Sequence, residues 1–238
     1  VEKVLSFAEK CAQKISVIEN SEAEVLRWEA EEKALWQEIE QIAALLTSKR
    51  KKTAQKLELL VVEALRELSM ENARFDIQFT ERKTPGPEGQ EELEFLFSAN
   101  PGEPPKPLVR IISAGEAARV MLALKSILAE QDHIPTLVFD EIDSGIGGYT
   151  IQKVSEKLAG LSKKHQVICV THSPQIASAA DHQYYIYKEV AKGRAATSVC
   201  YLQGEKRILE IARLLNGGNM SEITKKHAAE LLKKGQKL

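Results

Sequence analysis

Neither glycine nor proline occurs in residues 1–70. A stretch without either breaker excludes tight turns, and its wealth of Glu, Lys, Ala and Leu is the composition of helix. No apolar run approaches the roughly 18 residues of a membrane span, and Val1 to Lys10 lacks the apolar core of a secretory leader. The sequence thus expects no membrane contact and a cytoplasmic location. Cysteine is scarce: Cys11, Cys169 and Cys200 are odd in number, far apart and without C-x-x-C spacing, which excludes a disulfide framework or zinc site and leaves reduced thiols. A net charge of −1 gives no global electrostatic footprint for nucleic acid, so any such contact must come from a local patch. No G-x-x-x-x-G-K-[ST] occurs, so the loop that cradles a triphosphate, with its lysine, is absent from these 238 residues.

What is present has the makings of a globular protein. With 43% hydrophobic and 28% charged residues, the chain has room for one or two domains and a sizeable core. Val1, Val4, Ala8, Cys11, Ile15 and Ile18 keep a three-four spacing that is already under way at the first residue, which raises the expectation of chain upstream. Trp28, Leu35, Ile39, Ile42 and Leu46 repeat the spacing, and Leu57, Val61, Ala64 and Leu68 resume it after a phase shift, as coiled-coil seams with stutters do. Ser21 followed by Glu24 has the form of a capping box, which predicts two helices, about 1–19 and 22–70, in an arm spanning residues 1–70. More than forty helical residues at about 1.5 Å each reach roughly 70 Å, further than covering a small core requires. A bundle folded back on the second half is the alternative. Lys49-Arg50-Lys51-Lys52 reads as a solvated helix face.

From Phe75 the period falls to two. Phe75, Ile77 and Phe79 alternate with polar residues, as do Leu93, Phe95 and Phe97, around the turn cluster Thr84–Gly89, so an antiparallel hairpin is predicted. Asn100–Pro107 carries four prolines and is a loop leading to a short extended piece, Leu108–Ile112. Residues 71–238 form the second predicted domain.

The chemistry gathers around Thr136-Leu137-Val138-Phe139-Asp140-Glu141. Its apolar run suits a strand buried on both faces, and its two carboxylates arrive at the carboxyl end, where open α/β sheets bind ligands. Adjacent strand residues point to opposite faces, so Asp140 can hold a magnesium ion while Glu141 faces an attacking water. An acidic turn after a core strand is the plain alternative. Upstream, Ser113-Ala114-Gly115-Glu116 opens an apolar helix. Ser113 with Glu116 fits a simple cap, and a serine at a helix start followed by small residues also fits an anion site. Downstream, Gln166–Val170 is a second buried strand whose carboxyl end carries Thr171-His172-Ser173-Pro174, which places His172 at the same edge. Strands Tyr184–Lys188 and Thr197–Leu202, then helices Glu205–Leu215 and Ser221–Leu232, are expected to close the sheet, with a break at Asn216-Gly217-Gly218.

These motifs, in this order, carry a resemblance. Ile112–Glu116 resembles an ABC-type signature, Leu137–Glu141 a Walker B strand, Asp143-Ser144-Gly145 a D-loop and Thr171-His172 a switch-histidine loop. More narrowly, Asn100-Pro101-Gly102, Arg119 three residues after Glu116, Phe139–Gly148, Thr171–Ala177 and Glu210–Leu215 are similar to the RecN family of bacterial SMC-like DNA-repair ATPases. The likeness covers nearly the whole chain. It departs at Ala114, where the family signature has glycine, and at Ala117-Ala118, where it has Leu-Ser. Alanine at 114 requires a backbone with negative φ.

The resemblance implies an α/β fold: the C-terminal lobe of an ABC/SMC-type head, with a mostly parallel sheet and flanking helices, plus the coiled-coil arm. It implies ATP and magnesium as cofactors, Asp140 as metal ligand, and Glu141 and His172 as catalytic residues. Ser113, Gly115, Glu116 and Asp143 become ATP-binding residues shared with a second head. The implied partners are an N-terminal half of the same head bearing the missing phosphate loop, that second head, and DNA; the implied process is double-strand break repair and recombination, nucleoid-associated in a bacterium. A structural or interaction protein without ATP turnover is the competing reading, which the missing phosphate loop and altered signature favour for this chain alone.

Overall fold

The computed structural model describes residues 2–110, 113–129, 131, 133–191, 194–217 and 220–237. Two compact units emerge, Val1–Gln55 with Phe79–Leu93, and Lys56–Gln78 with Glu94–Leu238. Helix α1 (Glu2–Glu67) is one element of 66 residues. The break expected near Asn20 is therefore absent: Ser21 and Glu24 lie inside the helix, where uninterrupted helix formers on either side outweigh a local capping signal.

In the first unit the apolar residues of α1 are mostly exposed, Phe7 at 69% and Trp28 at 62%, while Ala43 and Ala54 are buried. Strands β1 (Arg74–Gly86) and β2 (Gly89–Ser98) meet across a two-residue turn, which leaves only an antiparallel arrangement. Arg50 donates to the Glu88 carbonyl at 2.7 Å and pairs with Glu91 at 3.5 Å, and Lys51 sits 5.9 Å over the Phe79 ring. Arg50 is thus engaged with the hairpin, while Lys49, Lys51 and Lys52 stay exposed, as a solvated helix face requires.

The second unit holds the main core. Val61 and Leu65 near the end of α1, and Leu68 just after it, pack with Phe75, with Val120 and Leu122 of α2 (Ala114–Leu128), and with Leu137, Phe139 and Ile142. Glu67 pairs with Lys157 at 2.7 Å, and Ser69, at φ 58°, hydrogen-bonds Thr150, so the last turn of α1 is tied to α3 (Gly148–Ser162). Strand β3 is Lys106–Pro107; Leu108–Arg110 forms a 3-10 turn where an extended piece was expected, and Ile111 and Ile112 lie outside the described residues.

Strand β4 (Thr136–Asp140) pairs in parallel with β5 (Gln166–Val170), Asp140 opposite Val170. The pair is buried on one face only. Leu137 and Phe139 enter the core, while Val138 is 66%, Ile168 47% and Val170 50% exposed. The continuous apolar run signalled a second cover that the described residues do not supply. Nor do the later strands extend this sheet: β6 (Gln183–Ala191) and β7 (Arg194–Leu202) form their own antiparallel hairpin. Helices α4 (Pro174–Ala179), α5 (Gly204–Asn216) and α6 (Glu222–Gly235) build a smaller core from Ala177, Ile211, Ala212, Ala228 and Leu232. Helix α5 ends at Gly217, whose φ of 59° is the left-handed cap that glycine adopts without strain. Gly235, at the end of α6, lies against α4: a Cβ there would stand 2.5 Å from the Ser178 carbonyl oxygen.

Candidate functional site

The carboxyl edge of the β4–β5 pair organises the site. Strand β4 ends on Asp140, exposed, and the chain then turns sharply, with the Ser144 amide donating to the Glu141 carbonyl at 3.0 Å. Glu141 takes up φ 55°, a left-handed backbone uncommon for a residue with a Cβ, and its side chain is exposed. Strained residues of this kind persist where the surroundings over-determine them, often at functional sites. What fixes Glu141 is the burial on either side: Phe139 before it and Ile142 and Asp143 after it are all buried.

Asp143 is the organising acid of the loop. Its Oδ2 accepts from Thr171 Oγ1 at 2.5 Å, from the His172 amide at 3.1 Å and from the Ser173 amide at 3.0 Å. Ser173 in turn caps α4, its Oγ accepting from the Ile176 amide, and Pro174 occupies the first helical position. His172 therefore stands exposed on a loop whose backbone is held by a carboxylate two strand-ends away in sequence. Register puts it beside the acids, since Asp140 pairs with Val170, two residues before it.

Helix α2 approaches the same loop. Ser113, at φ −87°, is its N-cap and accepts from the Glu116 amide at 3.4 Å, so the plain capping role holds. Ala114 has no positive φ, which meets the condition set for alanine there. Gly115 is buried against the D-loop-like turn: a Cβ would meet the Ser144 carbonyl oxygen at 3.1 Å and the Ser144 Cβ at 3.2 Å. Arg119, also buried, donates through Nη1 to that same carbonyl at 3.0 Å. Burial pulls its guanidinium below the ordinary value, and the Glu116 carboxylate opposes that shift.

The predicted residues thus fall into two groups. Asp140, Glu141, Ser113 and His172 present exposed side chains; Gly115 and Asp143 are buried and engaged in packing and hydrogen bonding, with Glu116 half-buried. Cys169, next to the edge on the core face of β5, has its thiol pushed up to about 12 by desolvation, then by the charges of Asp143 and Asp140. Among the described residues no group of three or more His, Cys, Asp or Glu could hold a metal on its own. A magnesium ion makes no such demand, because it keeps waters and shares substrate phosphates with one or two carboxylates. The exposed carboxylate of Asp140 fits that role.

Thr171 and Ser173, which the sequence placed in the histidine loop without a part of their own, flank the histidine and hold that loop, as hydroxyls commonly bond nearby backbone at a helix start. Sequence reasoning missed the Arg119 contact, for which spacing offers no signal.

No family model matches the chain. The DNA repair protein RecN of Halalkalibacterium halodurans is 37% identical over 236 residues, 98% of this chain and 42% of that protein. RecN of Bacillus subtilis is 36% identical over 253 residues, 100% of this chain and 44% of that protein. The chain is RecN-like and matches the C-terminal part of those proteins. It spans less than half the length of either relative. Among solved structures, the Smc head domain with a coiled coil and joint from Pyrococcus yayanosii gives a TM-score of 0.54 at 21% identity, over 79% of this chain and 34% of that one. The shared feature is the fold: an α/β head of SMC type with a long helix consistent with a coiled-coil arm. No described helix of this RecN-like chain is long and apolar enough to cross a membrane.

Proposed function

We propose that the chain is one lobe and the returning arm of a RecN-like ATPase head that acts in DNA double-strand break repair and recombination, with residues 1–70 as arm and 71–238 as lobe. The observation that carries this is the edge where β4 ends on exposed Asp140 and Glu141, with His172 brought beside them by the Asp140–Val170 register. Asp140 would hold magnesium, which would supply charge neutralisation at the phosphates when bound. Glu141, outside the strand and solvent-facing, orients and accepts from water; His172 reaches the γ-phosphate. Ser113, Gly115 and Glu116 at the start of α2 face the nucleotide bound by a second head, where a helix N-terminus favours anions. Asp143 links the two through the loop it holds. ATP would join two heads and hydrolysis release them, with DNA as the macromolecular partner.

The lobe is incomplete for phosphate binding, because no G-x-x-x-x-G-K-[ST] lies in it. A partner half carrying that loop would also cover Val138, Ile168 and Val170. The test combines this chain with such a half. Glu141→Gln is expected to keep ATP binding, slow hydrolysis strongly and trap joined heads; Ser113→Arg is expected to prevent joining while each head still binds ATP. Equal ATP-dependent joining by the two variants would reduce Ser113 to a helix cap. The missing phosphate loop also favours a second reading, a structural protein without turnover. Magnesium-dependent hydrolysis by residues 1–238 alone, lost in Glu141→Gln, would contradict both that reading and the need for a partner half.

A further inference from the structure

The start of α2 and the His172 loop come from distant parts of the chain, yet both are fastened to two consecutive residues of one turn. On one side the Ser144 carbonyl accepts from buried Arg119 at 3.0 Å, and Gly115 lies so close that a Cβ would stand 3.1 Å from the same oxygen. On the other side the Asp143 carboxylate holds Thr171, His172 and Ser173 through a single oxygen. Ser173 is the first fixed point of α4, so the loop cannot shift without disturbing a helix cap. The turn itself is closed by the Ser144 amide to the Glu141 carbonyl, which leaves it little freedom to absorb a movement from either side.

We propose that Arg119 and Asp143 are positioning residues of one relay, which ties the first turns of α2 to the backbone of His172. This goes beyond the composite site and rests on it only in taking His172 as the residue that senses nucleotide. The Arg119 bond is to Ser144 and not to His172; it acts by fixing where Ser144, and hence the Asp143 carboxylate, stands. A two-residue bridge of this kind transmits position because both ends are charge-assisted hydrogen bonds made by buried side chains, which hold more strongly than neutral contacts. Gly115 contributes by closeness: with no Cβ it lets the helix touch the turn, and any larger residue would push α2 away from Ser144.

Amide hydrogen exchange, followed by NMR on the 238-residue chain, reads the relay without nucleotide. Asp143→Asn is expected to speed exchange of the His172 and Ser173 amides roughly tenfold, as loss of a charged acceptor would, while β4 and β5 amides keep their rates. Arg119→Met is expected to give a comparable acceleration at the same two amides, although it bonds to neither, and Arg119→Lys to restore most of the protection. The Asp143→Asn, Arg119→Met double variant is expected to exchange no faster than the faster single variant, the signature of residues in one chain of contacts. Wild-type rates at His172 and Ser173 in Arg119→Met, or full additivity in the double variant, would overturn the relay. Should Arg119→Met lose the fold, the same additivity test passes to Arg119→Gln with Asp143→Asn. The outcome is separable from the composite-site reading: the relay stands if exchange behaves as expected even when Ser113→Arg heads join normally on ATP.

Discussion

One helix carries the same three-four apolar spacing at both ends and meets two fates. In the stretch through Gln55, Val4, Phe7, Trp28 and Leu35 are exposed; further along the same helix, Val61 and Leu65 are fully buried, packed with Phe75 and the α2 residues Val120 and Leu122. Nothing in the local pattern separates the two stretches. The difference lies in what the rest of the chain places alongside, which teaches that an apolar stripe states a demand for cover and leaves open who meets it. The β4–β5 pair repeats the lesson on a smaller scale, with Leu137 and Phe139 covered and Val138, Ile168 and Val170 open.

The comparison breaks most sharply by deletion of side chains. Leu65→Ala should cost roughly 2–5 kcal/mol in denaturant unfolding, as for a fully buried leucine, whereas Leu26→Ala should change stability by no more than about 0.5 kcal/mol. Equal costs would mean that the exposed stretch is covered in solution. Association offers a second handle: the chain is expected to self-associate with rising concentration through its open seam, and Trp28→Ser with Leu35→Ser to lower that tendency in sedimentation equilibrium. A wild type that stays monomeric at high concentration would show the stripe tolerated in water.

Smaller effects sharpen the picture at the site. Glu141→Gly should stabilise the lobe by up to about 1 kcal/mol, because glycine accepts the left-handed backbone that glutamate holds under strain; a loss of stability would instead assign the side chain a structural part. Cys169 should give the mildest signature. Its folded thiol sits at about 12, above an ordinary value of 9.0. Below the ordinary value both folded and unfolded forms are protonated and no penalty arises; as pH rises from there toward the folded value the unfolded form ionises first, so stability falls. Cys169→Ala should flatten that alkaline loss in a pH series of unfolding midpoints.

Much of this was legible in the residues. β5 was delimited by its apolar run and flanking turns, and the hydroxyl of Ser113 read as a cap is one. Helix α1 was legible in kind but not in continuity, since Ser21 and Glu24 offered a local stop that forty helix formers on the far side overrode. The β4 run promised two buried faces, because a sequence shows what a strand tolerates and not which neighbour arrives. The motif residues of the site could be placed in order, but their division into exposed groups and buried organisers could not. That division depends on contacts such as Arg119 with Ser144, which join positions 25 residues apart by no periodic rule.

The approach of Gly235 to α4 has a consequence for what the chain tolerates. Helix α6 is near the C-terminal end of these residues and is surfaced with lysines, so a map of permitted substitutions would be expected to show wide freedom there. Beyond the core residues Ala228 and Leu232, Gly235 breaks the pattern. With the Ser178 carbonyl oxygen 2.5 Å and the Ala179 Cα 2.9 Å from where a Cβ would stand, even alanine is excluded unless two helix backbones part. A substitution screen should therefore find Gly235 as intolerant as the acids of the site, though no chemistry passes through it.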